Sequence, residues 1–295
     1  MHVFVTGATG WIGSVIVPEL IYHGHTVLGL ARSTAAVEKL KAMGAQAIEG
    51  SLEDLNVLKD GAKQCDAVIH VGFIHDFTKY EECCAKDKAS IEAMGQALEG
   101  SGKPFIVSAG ALAVQVPDGE FIKESHPGDL QFARTASDNA ALALIDKGVN
   151  VSVVRLPPSV HGKGDKGFVP MLIDVAKSKG YVAYVGEGSN RWPAVQRKDA
   201  AVLYRLALEN PVHPILHAIG EEEVPYREIA EAISKATDLP VRSIPKDEAG
   251  AYFGWLSHFC EKDAPTSAGF TRTAMEWDTK EVGLVADIEG NYKAA

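Results

Sequence analysis

Three glycines near the N-terminus have the spacing of a loop that brings the backbone close to a phosphate group. Gly7, Gly10 and Gly13 follow the apolar run His2–Val5 and precede a helical pattern. Such glycines permit a tight strand-to-helix turn, a close backbone approach to a ligand and close packing of helix on strand. The amides at the helix start then favour a pyrophosphate. The spacing therefore predicts a dinucleotide-binding loop, and the alternative is a purely structural turn. The other predicted contacts in the loop are Thr9, Trp11 and Ile12.

A cation lies at the end of the second apolar run, where a dinucleotide-binding site recognises the 2′ position of the ribose. Arg32 occupies this place, and no Asp or Glu comes before Glu38. An acidic side chain here accepts hydrogen bonds from a ribose 2′-hydroxyl, whereas an arginine suits a 2′-phosphate. Arg32 therefore predicts NADP(H), with Ser33 as a second phosphate donor. The alternative is a solvated arginine at a strand end.

Three later segments follow other predicted strands, where the same cofactor would extend across the sheet edge. Polar and apolar side chains could border the adenine, a small residue lets backbone pass the ribose, and prolines fix the backbone beside the nicotinamide. The predicted contacts are Ser51 and Leu52 at the adenine, Val71, Gly72 and Phe73 at the ribose, and Leu156, Pro157 and Ser159 at the nicotinamide.

The elements that must position these residues alternate between short β-branched apolar runs and amphipathic stretches, a pattern typical of parallel strand-helix-strand units. The predicted strands are His2–Val5, Thr26–Ala31, Ala45–Glu49, Ala67–Val71, Phe105–Ser108 and Val151–Leu156. The predicted helices between them are Ile12–His23, Ala35–Met43, Leu55–Lys63, Tyr80–Glu99 and Gln131–Lys147. This order predicts an α/β fold with a Rossmann-type doubly wound parallel sheet.

The regular alternation of strand and helix patterns ends after Val160, where a glycine-rich loop begins. We predict an NADP-binding Rossmann domain at residues 1–165 and a smaller mixed substrate-binding lobe at residues 166–295. Segment 195–219 is expected to return to the first domain through a strand at Ile215–Ile219.

These residues resemble the short-chain dehydrogenase/reductase superfamily, in its extended and atypical branch of NAD(P)-dependent epimerase/dehydratase-like proteins. Thr6–Gly13 matches the TGxxGxxG motif of that branch, Asp66–Val71 is similar to its DxVIHxA strand, and Trp192–Ala201 is similar to its VHVDDA segment. The resemblance covers nearly the whole chain. It implies a Rossmann domain, a smaller C-terminal substrate lobe and a substrate cleft between them.

The chain departs from the catalytic pattern that the resemblance implies, a Ser or Thr after the fifth strand and Tyr-x-x-x-Lys on the next helix. Gly110 falls at the Ser/Thr position, with Ser108 two residues earlier, and Arg134 and Asp138 fall at the Tyr and Lys positions. A guanidinium cannot act as a general acid, but it can stabilise an oxyanion. Asp138 could accept from the ribose hydroxyls; the alternative is an i, i+4 ion pair with Arg134.

Two histidines are further candidates for proton transfer, because histidine titrates near neutral pH. His75 follows the fourth predicted strand and His161 follows the sixth. The alternative for each is a packed or solvated side chain. The predicted catalytic set is therefore Arg134, Asp138, Ser108, His75 and His161.

The composition of the chain limits the kinds of partner that it can bind. A net charge of −10 opposes binding to nucleic acid and to anionic membranes, and no long apolar stretch or basic leader is present. The 4 cysteines lack zinc-ligand spacing, so we expect reduced thiols and no metal. We also expect a cytoplasmic protein that is a monomer or a homodimer.

The expected function is an NADP(H)-dependent oxidoreductase, a ketone or aldehyde reductase or an alcohol dehydrogenase, acting on a small organic, secondary-metabolite-like substrate. The alternatives are an epimerase, dehydratase or cyclase that retains NADP, and a catalytically silent NADP-binding regulator.

Overall fold

A computed structural model describes residues 1–292 as a large parallel sheet flanked by helices and followed by a smaller mixed lobe. Strands β1 to β12 are His2–Thr6, Thr26–Ala31, Gln46–Glu49, Ala67–His70, Pro104–Gly110, Asn150–Leu156, Ser159–His161, Val182–Val185, Arg191–Gln196, Ile215–His217, Glu221–Pro225 and Val241–Ile244. Helices α1 to α12 are Gly13–Tyr22, Thr34–Ala42, Leu55–Gln64, Tyr80–Leu98, Thr135–Leu142, Phe168–Lys179, Arg197–Glu209, Tyr226–Thr237, Ala249–Phe253, Ser257–Glu261, Gly269–Met275 and Leu284–Asn291.

The large sheet has the strand order β3-β2-β1-β4-β5-β6-β10, and its strands pair in parallel. The order reverses between β1 and β4, so the loops after these two strands diverge to opposite faces and leave a crevice at the carboxyl edge. This edge carries the glycine loop and the ends of β4, β5 and β6. The doubly wound Rossmann fold expected from the sequence is confirmed.

Alternation along β1 explains why both faces of the sheet are covered. Val3 and Val5 belong to one fully buried core, with residues of α1 and α7, whereas Phe4 belongs to another, with residues of α3 and α4. Successive side chains of a strand point to opposite faces. A continuous apolar run therefore requires a helical layer on each side.

Most predicted elements form close to their expected bounds, and β10, Ile215–His217, pairs with β6 in the large sheet. One helix differs. Instead of a single helix over residues 131–147, α5 spans Thr135–Leu142 and a separate 3-10 turn covers Ile145–Lys147. Asp129 accepts from the Gln131 amide in a turn, and Gly148 ends the segment at φ 75°, so both ends of the predicted helix are replaced by turns.

The second lobe has its own core. The three-stranded sheet β11-β9-β7 and the pair β12-β8 lie here with α6, α8 and α12. Trp192 and Tyr226 are buried within this core with ring centroids 5.2 Å apart. The chain then crosses back, since Ala268, Met275 and Trp277 belong to the same core as α1 and α7. This second crossing ties the two lobes together.

Within the described residues, no helix is long and apolar enough to cross a membrane, and no group of three or more His, Cys, Asp or Glu side chains could hold a metal ion. The cysteines at positions 65, 83, 84 and 260 are buried free thiols.

Candidate functional site

The glycine loop is the tightest backbone contact at the carboxyl edge of the sheet. Gly7 has φ +64°, and a Cβ on it would lie 2.7 Å from the Cα of Gly72, at the end of β4. A Cβ on Gly13 would lie 2.1 Å from the Gly7 carbonyl oxygen, and one on Gly10 would lie 3.0 Å from it. Real side chains do not fit at the distances found for Gly7 and Gly13, and at Gly10 the contact is tight enough that its neighbour would have to shift by a few tenths of an ångström. The glycines therefore allow α1 to start directly against β1 and β4.

The start of α1 presents unsatisfied donors. Its N-terminus has no side-chain cap and no acidic residue in the first turn. Among residues 1–292, no backbone or side-chain acceptor bonds the amides of Trp11 and Ile12. Free amides and the positive end of the helix dipole suit an anion. A dinucleotide pyrophosphate therefore fits this loop.

Two cations border the loop. Arg32, directly after β2, is exposed and forms no ion pair with the described residues. Lys39, on α2, donates from Nζ to the Thr9 carbonyl at 2.8 Å, which fixes its ammonium against the glycine loop. Sequence reasoning missed Lys39 because it lies on the polar face of an ordinary helix. Ser33, in contrast, caps α2 by accepting from the Ala36 amide at 3.2 Å.

The predicted adenine and ribose segments are close-packed. Ser51 is occupied locally, because its hydroxyl donates to Asp54 at 2.8 Å. Leu52 packs against Gly72, where a Cβ would lie 3.1 Å from the Leu52 side chain. The Gly72 amide donates to the Thr6 hydroxyl at 3.2 Å, so the backbone after Val71 stays beside the glycine loop.

The predicted nicotinamide side is built from the end of β6, the start of β7 and the short connection between them. Leu156 is half-buried, Pro157 is buried, and the buried Ser159 hydroxyl has no partner among the described residues. A buried hydroxyl without a partner is unusual in a protein interior and fits a ligand contact. Trp11 joins this side to the loop, since its indole N–H donates to the Val160 carbonyl at 2.7 Å.

Arg134 lies at the start of α5, above the ends of β4 and β5. Its guanidinium approaches a carboxylate oxygen of Asp87 at 2.6 Å as an ion pair, donates to the Ser108 carbonyl at 2.9 Å and stacks 4.2 Å above the Phe73 ring centroid. Only 12% of its side chain is exposed. Arg134 thus pairs with Asp87, from α4, and not with Asp138, whose i, i+4 ion pair with Arg134 is one of two alternatives from the sequence.

Asp87, like Lys39, is a candidate site residue that sequence reasoning missed. It is 1% exposed and accepts from His70 Nε2 at 3.1 Å, while His70 Nδ1 lies 2.6 Å from the Thr6 hydroxyl. Burial raises the pKa of Asp87, but the His70 hydrogen bond and the Arg134 charge outweigh it and lower the pKa to about 2. Thr6, His70, Asp87 and Arg134 therefore form a buried polar chain, which we call the Arg134 cluster.

Asp138 lies one turn further along α5 and behaves in the opposite way. It is 3% exposed, and one carboxylate oxygen has no hydrogen-bond partner among the described residues. Burial raises its pKa to about 6, although the charges of Arg134 and Arg155 oppose the shift. Asp138 can therefore hold a proton close to neutral pH, which Asp87 cannot.

The other three predicted catalytic residues lie in different surroundings. The Ser108 hydroxyl is buried, donates to the His70 carbonyl at 3.0 Å and lies 2.7 Å from the Tyr204 hydroxyl, under α7. His75 lies edge-on to Phe73 with centroids 5.1 Å apart, and partial burial lowers its pKa. His161 is fully buried in the second lobe, with Nδ1 2.8 Å from Asp287 of α12. The structure therefore groups Arg134 with His75, keeps Ser108 beneath them and separates His161.

Two concavities of about 160 Å³ lie elsewhere, one between α4 and α5 and one beside Gly188 and Lys246. Both are too small for a dinucleotide, and neither includes the glycine loop.

The fold and the loop together define a Rossmann-type dinucleotide-binding protein. The model of the NAD dependent epimerase/dehydratase family matches residues 3–219, and the chain belongs to this family. This confirms the resemblance to the extended branch of short-chain dehydrogenases/reductases, whose cofactors are NAD or NADP.

Known proteins agree with this placement. An uncharacterized protein of Saccharomyces cerevisiae is 44% identical over 295 residues, 99% of each chain. A 2-alkyl-3-oxoalkanoate reductase of Stenotrophomonas maltophilia is 26% identical over 263 residues, 81% of this chain and 77% of that protein. Among solved structures, the dTDP-glucose 4,6-dehydratase DesIV of Streptomyces venezuelae superposes with a TM-score of 0.79 at 16% identity, covering 99% of this chain and 95% of that one.

Proposed function

We propose that the protein is an NADP(H)-dependent oxidoreductase that interconverts a carbonyl and an alcohol on a small organic substrate. The observation that carries the choice of NADP(H) is the pair of cations, Arg32 directly after β2 and Lys39 against the glycine loop. No carboxylate directly follows β2, where it would favour the free ribose hydroxyls of NAD. Charge-assisted hydrogen bonds from two cations favour a 2′-phosphate instead.

The bound nicotinamide would supply or accept the hydride. Arg134 has the chemistry to stabilise the oxyanion that develops on the substrate carbonyl, because a guanidinium retains spare N–H donors after binding Asp87 and the Ser108 carbonyl. Asp87 and the Phe73 ring orient the guanidinium. Arg134 cannot give up a proton, whereas the neighbouring Asp138, with a pKa of about 6, can hold one.

The relatives support a carbonyl substrate in general terms only. One is named a 2-alkyl-3-oxoalkanoate reductase, and a Stigmatella aurantiaca protein that is 29% identical over 189 residues is named a quinoline-1-oxide ketoreductase. The departure at the Tyr and Lys positions, where Arg134 and Asp138 stand, favours a second candidate. It is a non-redox or internally redox epimerase, dehydratase or cyclase, which would return its cofactor unchanged.

The test is NADPH consumption with a panel of ketones and aldehydes, with the alcohol product measured in parallel. We expect one alcohol per NADPH oxidised. Product formation without net NADPH oxidation supports the second candidate. Tight NADPH binding with no product from any carbonyl contradicts the proposal and favours a silent NADP-binding regulator.

A further inference from the structure

A lysine from the second lobe reaches the carboxyl edge of the large sheet. Lys262 follows α10, and its Nζ donates to the Leu112 carbonyl, 150 residues away, at 3.1 Å. Leu112 comes two residues after the end of β5, and Phe132 comes two residues before Arg134. The ammonium lies 5.6 Å from the Phe132 ring centroid. Lys262 therefore stands against both segments that lead to the Arg134 cluster.

This ammonium is half-buried and lacks a counter-ion among residues 1–292. No carboxylate of these residues lies within 4.0 Å of Lys262, and its one hydrogen bond, to the Leu112 carbonyl, leaves two of its three N–H donors for another acceptor. Burial lowers the pKa of Lys262, and the charge of Asp129 opposes this without forming an ion pair. Asp129 itself accepts from the Gln131 amide.

Arg191, a cation in the same region, has carboxylate partners within ion-pair distance. Arg191 lies 2.7 Å from Asp263 and 3.1 Å from Glu223, and it also donates to the Gly119 carbonyl. Removing a charge from water without a partner is costly, so protein cations in such places are normally paired. Among residues 1–292, Lys262 therefore differs from Arg191 in having donors left for an anion that another molecule would supply.

We infer that Lys262 recognises a carboxylate of the substrate, so that the substrate is a small organic acid with its reacting carbonyl toward Arg134. The assignment of a reacting carbonyl rests on the proposed function, whereas recognition of the carboxylate does not. The ring of Phe132 offers the adjoining contact to an apolar part of the same molecule. Three residues before Lys262, Phe259 continues the apolar surface with Phe168 at a centroid distance of 4.9 Å.

The test compares an acid with its uncharged ester on protein saturated with NADP⁺, which permits binding without reduction. The probes are 3-benzoylpropionate and its methyl ester, titrated by calorimetry into the wild type and Lys262→Met. We expect the wild type to bind the acid at least about 10-fold more tightly than the ester. Lys262→Met should weaken acid binding roughly 10- to 150-fold and change ester binding by less than about threefold.

Two further variants separate charge from structure. Lys262→Arg keeps the charge and should retain most of the preference for the acid. Lys246→Met is the matched control, because Lys246 lies in the same lobe with its side chain 84% exposed, and it should leave both affinities unchanged. The acid-to-ester ratio of the wild type is informative even where a variant fails to fold.

Equal wild-type affinities for acid and ester, no binding of the acid, or an equal loss of both in folded Lys262→Met overturns the inference. Failure of the proposed function has a different signature. In that case acid binding depends on Lys262, but no member of the acid and ester pair, nor any other carbonyl of the panel, oxidises NADPH.

Discussion

The glycine loop and the Arg134 cluster lie at the same edge of one sheet but are built in different ways. The loop uses consecutive residues, and its donors are backbone amides held by three glycines. The cluster uses side chains from β1, β4, α4 and the start of α5, and its charge is buried. A loop of the first kind tolerates most side-chain changes outside its glycines, whereas a cluster of the second kind fails when any charged partner is removed.

The sharpest way to test this contrast is to remove the anion of the cluster. Asp87→Asn leaves the Arg134 guanidinium without its counter-ion, and breaking a buried pair typically costs about 3–5 kcal/mol. We expect the free energy of unfolding to fall by that amount in urea denaturation. Glu92→Gln, which breaks only an exposed pair with Lys88 on the same helix, should cost about 0–1 kcal/mol. Similar losses in the two variants would contradict a buried, partnered Asp87.

A substitution in the glycine loop should lower the affinity for the cofactor rather than the free energy of unfolding. Gly10→Val places a branched side chain where the pyrophosphate approaches, so NADPH affinity should fall at least roughly 1,000-fold while the protein stays folded. The readout is NADPH titration together with circular dichroism. Gly250→Val is the control, because a Cβ there meets nothing within 4 Å. A folded Gly10→Val variant with normal NADPH binding would show that the phosphate loop lies elsewhere.

The proposed catalytic role of the Arg134 cluster depends on Arg134. Arg134→Ala should lower kcat by roughly 10²–10³-fold, the usual effect of losing one oxyanion donor. Steady-state kinetics below the unfolding temperature of the variant separate this effect from stability. Arg227→Ala, which loses an exposed pair with Glu231 and a stacking contact with the Tyr184 ring, should keep full activity. A drop smaller than about threefold would reduce Arg134 to a structural ion-pair partner and move attention to His75.

The raised pKa of Asp138 and the lowered pKa of Asp87 predict opposite effects of pH on the free energy of unfolding. Because the pKa of Asp138 is raised to about 6, its protonated form stabilises the fold at low pH, and that contribution is lost as the pH rises from about 4 through 6. Asp138→Asn should therefore gain stability relative to wild type at pH 8, by about 3 kcal/mol at most, with a smaller difference at pH 5. Chemical denaturation at both values is the measurement, with exposed Asp146→Asn as control. A difference independent of pH would contradict the raised pKa.

Local signals explain why the sheet and the loop could be predicted. The apolar runs at β1 to β6 are bounded by turn residues, and the glycines sit between a strand and a helix, so spacing alone located them. The ends of α5 could not be predicted, because the turn at Asp129 and the left-handed Gly148 interrupt a sequence that is otherwise compatible with a helix.

The Arg134 cluster could not be predicted from the sequence, because its residues are far apart in the chain. Asp87 also lies in a part of α4 that is rich in polar residues. One signal could have revealed it. Cys83, Asp87 and Ile91 recur every four residues and are all buried, so Asp87 interrupts the apolar face of its helix rather than its solvent face. A carboxylate in that position requires a cation, and only the fold shows that the cation is Arg134.

Cofactor choice is the most direct test of the proposed function, because Arg32 and Lys39 carry it. We expect wild-type protein to bind NADPH more tightly than NADH, and Arg32→Ala to weaken NADPH roughly 10- to 150-fold while leaving NADH within about threefold. Lys39→Ala should shift selectivity in the same direction, and Lys41→Ala, which loses an exposed pair with Glu38 on the same helix, should not. Parallel titrations of both cofactors give the result, and equal wild-type affinities for NADPH and NADH would contradict the account.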